Sequence, residues 1–402
     1  MRDRLYLLMA LPMGCLLRPP LLVFLSCCII FVYHFLLLCQ DSPSHFFRVS
    51  ATTMTDAYEP PTKTACRLEV MGKVSSIHYD CVTSSCLVST ILNGTHIFNL
   101  DDTFYGANLA AGVSASSVES YPYHTMGEEP LMASCFFNTG QLFAVGSSSG
   151  SVTVVSRRSR ALTSCYATPD SLPIRALSEI PTESNCLLMC TEQGAAIIDV
   201  ERSQPRVSLA NPAPGRAVAA VPLQRQTFVV ANYDGKVLLY DTRYRSSPSS
   251  VLSLPDQITC LAASPDTSEV CVGTVGGRVF TLRCIEGAQR EQAFGMSKKR
   301  SPVRCVAMDR GRIAAGDLAG RLALIDTADV PDPTVYWSAE TLLRLPRQIY
   351  RAGALDRHID TASAAAAFTN TEVTAAALAQ GTAWMSFCSS KNAVSQVVAI
   401  PA

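Results

Sequence analysis

The chain lacks several short signatures of the common catalytic classes. It has no C-x-x-C pair, no H-E-x-x-H, no P-loop and no G-x-G-x-x-G leading into a helix. These absences argue against zinc and thiol-redox sites, zinc peptidase chemistry and the phosphate cradles of nucleotide enzymes. The six histidines (His34, His45, His78, His96, His124, His358) stand apart from one another and beside no nucleophile motif. Charge is scarce as well: 16% of the 402 residues are charged and the formal net charge is +0. A broad electrostatic grip on nucleic acid needs a positive surface, so that function class is disfavoured. The expectation is a chain with no catalytic centre, no cofactor and no metal.

What is present is a repeat. Six times a run of β-branched and small apolar residues meets a Gly-containing turn and a second apolar run. The runs are 87–99, 142–155, 187–200, 228–241, 270–282 and 313–326, turning at Gly94, Gly150, Gly194, Gly235, Gly277 and Gly320. From Gly150 onward the glycines are 44, 41, 42 and 43 positions apart by subtraction. Two strands around a glycine turn at a period of roughly 40–45 are the signature of a β-propeller blade.

Blade 1 is expected over 74–125, with residues 106–130 giving its outer strand and a long loop. Blade 2 is expected over 131–168. Blade 3 opens at Pro173, blade 4 near Ala217, blade 5 at Gln257 and blade 6 at Pro302. The openings QITCL and PVRCV are near copies. Asp234-Gly235 is the clearest hairpin turn, and Gly276-Gly277 reads as a hairpin too, because an apolar strand follows directly. Asn93-Gly94-Thr95 satisfies a glycosylation sequon and equally a hairpin turn.

Residues 327–357 break the period. Thr341–Tyr350 reads as a strand or a short helix, and Pro346 excludes a long one. The last blade is expected over His358–Val398, with Gly381 at its turn. Its alanine runs, 364–367 and 375–379, favour helix on propensity; the turn placement favours strand. Thr64–Val70 (TACRLEV) alternates apolar and polar, has no neighbouring hairpin partner, and is expected to complete the last blade, removing an exposed edge. The fold class is therefore all-β: a seven-bladed, WD-repeat-like β-propeller over 64–402 with an N-terminal apolar extension.

That extension, residues 1–53, contains Leu21–Cys39, an uncharged run of membrane-spanning length behind Arg2, Arg4 and Arg18. It reads as a signal anchor, as a targeting peptide, or as translation from an upstream start ahead of Met54. The last is preferred, because MTDAYEPPTK resembles an ordinary soluble N-terminus and residues 54–63 read as a disordered, Pro-rich linker. The sixteen cysteines are scattered, several within strand patterns, and read as reduced, buried residues of a cytosolic or nuclear protein.

Two basic clusters interrupt the neutral background. Arg157, Arg158 and Arg160 follow the second repeat. Lys298, Lys299 and Arg300 lie before blade 6, with Arg304 close behind and Arg278 after the blade 5 turn. A charge run usually marks a solvated loop; the functional alternative at Arg278, Lys298, Lys299, Arg300 and Arg304 is a patch for an acidic peptide.

The stretch from Phe228 to Asp326 contains YDGKVLLYDTR, QITCLAASPD, VGGRVFTL, Ala293-Phe294 and GDLAGRLALID. It resembles the WD-repeat propellers of the mitotic-checkpoint Bub-three type and the related messenger-RNA-export factor of the nuclear pore. Gly277, Arg278, Val279, Ala293 and Phe294 carry the likeness. The resemblance implies a scaffold that binds a linear motif of a kinase-like partner at the kinetochore, in spindle-checkpoint signalling within the nucleus. A nuclear-pore export adaptor is the alternative, and a trafficking propeller tethered to the endoplasmic-reticulum membrane would follow if residues 1–53 act as an anchor. The divergence fits an early-branching eukaryote, such as the propeller beside a Bub-like kinase at kinetoplastid kinetochores. Only Tyr240-Asp241 resembles the Trp-Asp dipeptide, and Gly-His signatures are missing. Two places where the family carries basic residues that grip partner glutamates hold Thr259 and Gly295 here.

Overall fold

The protein is described by a computed structural model. It describes residues 66–99, 118–122 and 128–327, apart from short loop pieces near 183, 213, 225, 245, 266, 286 and 298, together with the strands at 335–338, 348–351, 371–379, 382–389 and 394–401. The 1–53 extension with its Leu21–Cys39 run, the 54–63 linker and the 364–367 alanines lie outside the described residues.

Seven sheets follow one another along the chain, six of them wholly antiparallel. The strand β1 (Cys66–Met71) comes first. Blade 1 is β2 (Val74–Asp80), β3 (Ser85–Thr90), β4 (Gly94–Asn99) and β5 (Val118–Tyr121). Blade 2 is β6 (Leu131–Phe137), β7 (Leu142–Ser147), β8 (Ser151–Ser156) and β9 (Leu162–Ala167). Blade 3 is β10 (Ala176–Glu179), β11 (Cys186–Thr191), β12 (Gly194–Asp199) and β13 (Gln204–Ala210). Blade 4 is β14 (Ala217–Pro222), β15 (Thr227–Asn232), β16 (Lys236–Asp241) and β17 (Ser250–Ser253). Blade 5 is β18 (Ile258–Ala263), β19 (Glu269–Thr274), β20 (Arg278–Arg283) and β21 (Gln289–Gly295). Blade 6 is β22 (Val303–Asp309), β23 (Arg312–Asp317), β24 (Arg321–Asp326) and β25 (Val335–Ser338). Then come β26 (Gln348–Arg351), β27 (Thr371–Ala379), β28 (Thr382–Ser389) and β29 (Val394–Pro401).

The expected blade openings stand. Blade 7 is the order β27-β28-β29-β1-β26, so the first strand of the chain completes the last sheet. Leu68 faces Val397 and Val70 faces Ser395 in that antiparallel pairing. The β1 partners on its other side are Gln348–Arg351, in parallel. This fifth strand begins in the stretch 341–350 that was open between strand and helix and ends at Arg351. The blade also runs past Val398 to Pro401.

The continuous apolar runs follow from burial on both faces of each blade. Alternate side chains of one strand enter opposite interfaces: Phe228 and Val230 of β15 pack toward blade 3, Val229 and Ala231 toward blade 5. Seven apolar clusters result, one per blade–blade interface. The same packing makes a strand of Ala375–Ala379 despite its helical propensity, because Val373, Ala375 and their neighbours fill the interfaces to blades 6 and 1. Ring closure is direct. Ser395 donates to the Gly72 carbonyl (2.7 Å) and accepts from the Val74 amide (3.3 Å), and Tyr79 stacks on Trp384 with centroids 5.8 Å apart.

The turn glycines are needed for two reasons. All six have positive φ, from +73° at Gly277 to +152° at Gly194. The chain entering the next blade also crosses directly over several of them: a Cβ on Gly320 would sit 2.4 Å from the Thr371 carbonyl oxygen. Gly320→Ala is therefore expected to cost about 2 kcal/mol or more, from left-handed strain plus backbone collision. Gly295, whose Cβ would meet nothing within 4 Å, should accept Ala within about 0.5 kcal/mol. Thermal unfolding of the two variants side by side checks this.

Candidate functional site

The end of the ring that carries the glycine turns also carries the loops between blades, and it holds Arg278, Arg300 and Arg304 of the basic residues singled out from sequence. Arg278 is the first residue of β20, directly after Gly277. A Cβ on Gly277 would lie 2.8 Å from the Ser301 carbonyl and 3.4 Å from the Arg300 Cα, so the loop before blade 6 passes over this turn. Arg300 in that loop is exposed. Arg304 is exposed at the start of β22, where a β-bulge falls between Val303 and Cys305. Bulges recur at this place in six of the seven innermost strands. A bulge re-aims the inserted residue, here Arg304. Lys298 and Lys299 lie outside the described residues. Arg278, Arg300 and Arg304 are thus brought to one end, at the junction of blades 5 and 6.

Arg278 is lightly held. Its Nε is 4.0 Å from Asp256 Oδ2, and its side chain is 40% exposed. The equivalent first residues of β16 and β24 are also basic: Lys236 lies 3.7 Å from Asp234 and Arg321 3.9 Å from Asp317. Asp317 is fully buried and accepts the Ala319 and Arg321 amides at 2.9 and 2.8 Å. Burial raises its carboxyl against the opposing pull of those amides and the Arg321 charge. The acidic counter-charges Asp234, Asp256 and Asp317 escaped the sequence reading. Their signal is positional: each sits within a few residues of a turn glycine or a blade opening.

Thr259 is built into the packing between blades, whereas Gly295 lies beside open space. Thr259 is the bulge residue of β18, between Ile258 and Cys260. Its hydroxyl donates to the Val303 carbonyl at 2.6 Å and lies 3.0 Å from the Gly273 carbonyl, tying the inner strands of blades 5 and 6 together. Gly295 is the ladder partner of Arg278, and the space beside it is open. Exposed apolar residues flank the same end at matching turn positions, two before the glycine: Leu92, Tyr233 and Leu318.

The other basic cluster is different. Arg158 and Arg160 are exposed as a solvated run should be, but Arg157 is not. Its side chain is 14% exposed, pairs with Glu119 at 2.8 Å and lies 5.5 Å over the Phe136 ring. It is a structural bond between blades 1 and 2.

The inner strands enclose an axial channel of about 610 Å³, lined by small residues including Ser76, Ser134, Ser178, Ala219 and Ala263. His78 borders it, and burial lowers its imidazole to about 4 despite the nearby Asp80 charge, so it is neutral at physiological pH. From Cys81 to Cys388 the described cysteines are free thiols. Burial raises Cys190 to about 12 and Cys260 to about 11, so both stay protonated and unreactive. Among the described residues no group of three His, Cys, Asp or Glu could hold a metal ion.

No protein-family model matches the chain, and no curated protein matches it by sequence. Among solved structures, Raptor from Chaetomium thermophilum superposes with a TM-score of 0.61 at 11% identity, over 83% of this chain and 28% of that one. It is one of 1701 matching chains, so the likeness establishes the propeller fold and no particular activity.

Proposed function

We propose that this propeller is a non-enzymatic scaffold that docks an acidic linear motif of a kinase-like partner, in kinetochore and spindle-checkpoint signalling. The propeller fold is that of a protein-interaction scaffold. The observation that supports the finer reading is the junction of blades 5 and 6. Arg278 sits opposite an empty Gly295 position, held only loosely by Asp256, with Arg300 and Arg304 exposed at the same end. A basic side chain absent at Gly295 is replaced in place by its ladder neighbour. Guanidinium groups bind carboxylates bidentately, and an extended segment adds backbone pairing. The residues Gly277, Arg278, Val279, Ala293 and Phe294 carry the family likeness into the same corner.

Affinity purification of a tagged copy from mitotic cells, read by mass spectrometry, tests the partner. Reversing Arg278, Lys298 and Lys299 to Glu should reduce its recovery about tenfold or more, because like charges then face the motif. Wild-type recovery should also fall with added salt. Unchanged recovery from the reversed variant removes this site. Tagged protein concentrated at discrete chromosome foci in mitosis supports the checkpoint role; a perinuclear rim throughout the cycle favours the export adaptor.

A further inference from the structure

We propose that the outer strand of blade 2, β9, is a self-pairing edge that joins two copies of this chain by antiparallel strand addition. Every outer strand of a propeller presents unpaired backbone groups, and proteins normally blunt such edges with charge, proline, brevity, bulges or cover. Among the described edges of this ring, one is the least protected. The strands β5, β17 and β25 have four residues each. β13 carries Pro205 and Arg206, and β21 carries Arg290 and Glu291. In blade 7, β1 is covered by β26. β9 is six residues, LTSCYA, with no charge and no proline; its one irregularity is a bulge at Thr163, outside the stretch Ser164–Ala167 that keeps a regular ladder. Leu162 is 54% exposed on it, and Thr163, Cys165 and Ala167 are exposed too.

The backbone parity of β9 follows from the ladder. The Thr168 amide donates inward to the Gly150 carbonyl at 2.9 Å. Tyr166 and Ser164, the partners of Val152 and Val154, share that parity, so their amides also point into the blade. Cys165 and Ala167 therefore turn their amides and carbonyls outward. A second copy related by a two-fold axis at Cys165 forms a hydrogen-bonded Cys165–Cys165 pair, the self-complementary geometry of an isologous dimer. At each end of this pairing the strand is flanked by Arg160 of one copy and by the turn residue Asp170 of the other. Both residues are exposed, so the charges beyond the neutral strand are complementary in this pairing. Blade 7 supplies the internal precedent, because its outer edge already accepts a fifth strand.

The test uses two differently tagged full-length copies expressed in one cell. One tag should recover the other, and a short bis-maleimide should link them. That crosslinked band should vanish in Cys165→Ser and persist in Cys81→Ser. Cys165→Pro removes an outward amide and leaves the inward ladder intact. Cys165→Lys sets two ammonium groups face to face across the axis. Each should cut homotypic recovery about fivefold or more, the effect of roughly 1 kcal/mol, while thermal unfolding stays near wild type for Cys165→Lys. The proposal is overturned if wild-type copies do not recover each other, if Cys165→Lys recovers its partner unchanged, or if the edge captures a different protein in place of a second copy.

Discussion

Replacing Leu68 by Asp is expected to abolish soluble, folded protein, whereas Met71→Ser is expected to leave it almost unaffected. Leu68 is completely buried in β1, within the cluster that joins blade 7 to blade 1. Removing a buried leucine costs about 2–5 kcal/mol, and a carboxylate left in its place adds a burial penalty of several more. Domains of this kind are stable by only about 5–15 kcal/mol, so the sum approaches the whole. The strand is also where an early segment of the chain pairs with its last strand. Loss of β1 would expose the edge of β29, and strand edges of that kind pair with other chains. Met71, at the end of the same strand, is 39% exposed and has little to lose. Soluble yield and circular dichroism of the two variants check the contrast. Equal, native-like yields would show that β1 contributes nothing to closure.

Arg157→Ala is expected to cost roughly 2–4 kcal/mol, far above the effect of Arg158→Ala or Arg160→Ala. The guanidinium of Arg157 donates to Glu119 (2.8 Å), to Asn99 Oδ1 (2.7 Å) and to the Gly140 carbonyl (3.0 Å). Truncation leaves those acceptors without their donor, and breaking one side of a buried pair is more costly than the pair is worth. Burial alone would raise the Glu119 carboxyl. The hydrogen bonds from Arg157 and Asn99, the Arg157 charge and the Tyr121 hydroxyl outweigh it and hold the group below its ordinary value. A carboxyl depressed on folding stabilises the protein above its unfolded value of about 4.3 and loses that contribution as pH falls through its folded value. Wild-type stability should thus fall below about pH 4 more steeply than that of Arg157→Ala. Parallel acid dependences in denaturant titrations would contradict this role.

Much of the ring was legible in the sequence because its causes are local. Turn glycines at Gly150, Gly194, Gly235, Gly277 and Gly320 mark hairpins that need positive φ, and unbroken apolar runs mark strands buried on both faces. The role of TACRLEV was legible as an unpartnered alternating segment. The fifth strand β26 was not, since its pairing with β1 joins segments far apart in the chain and four residues carry no pattern. Arg157 read as part of a solvated triplet because sequence spacing is blind to Glu119 across the blade interface. At the candidate site, Arg278, Arg300 and Arg304 were singled out from charge and from Arg278's place after the blade 5 turn. Asp256 and the exposed turn residues Leu92, Tyr233 and Leu318 were missed, because their meaning lies in position relative to the turn glycine.

The claim beneath these readings is that the ring is closed by β1 against β29. Amide hydrogen exchange tests it most directly. The account predicts that peptides covering Cys66–Met71 and Val394–Pro401 exchange slowly, at matching rates, and lose protection together in a weakened Leu68→Ala variant. Rapid exchange across Cys66–Met71 while Val394–Pro401 stays protected would contradict it.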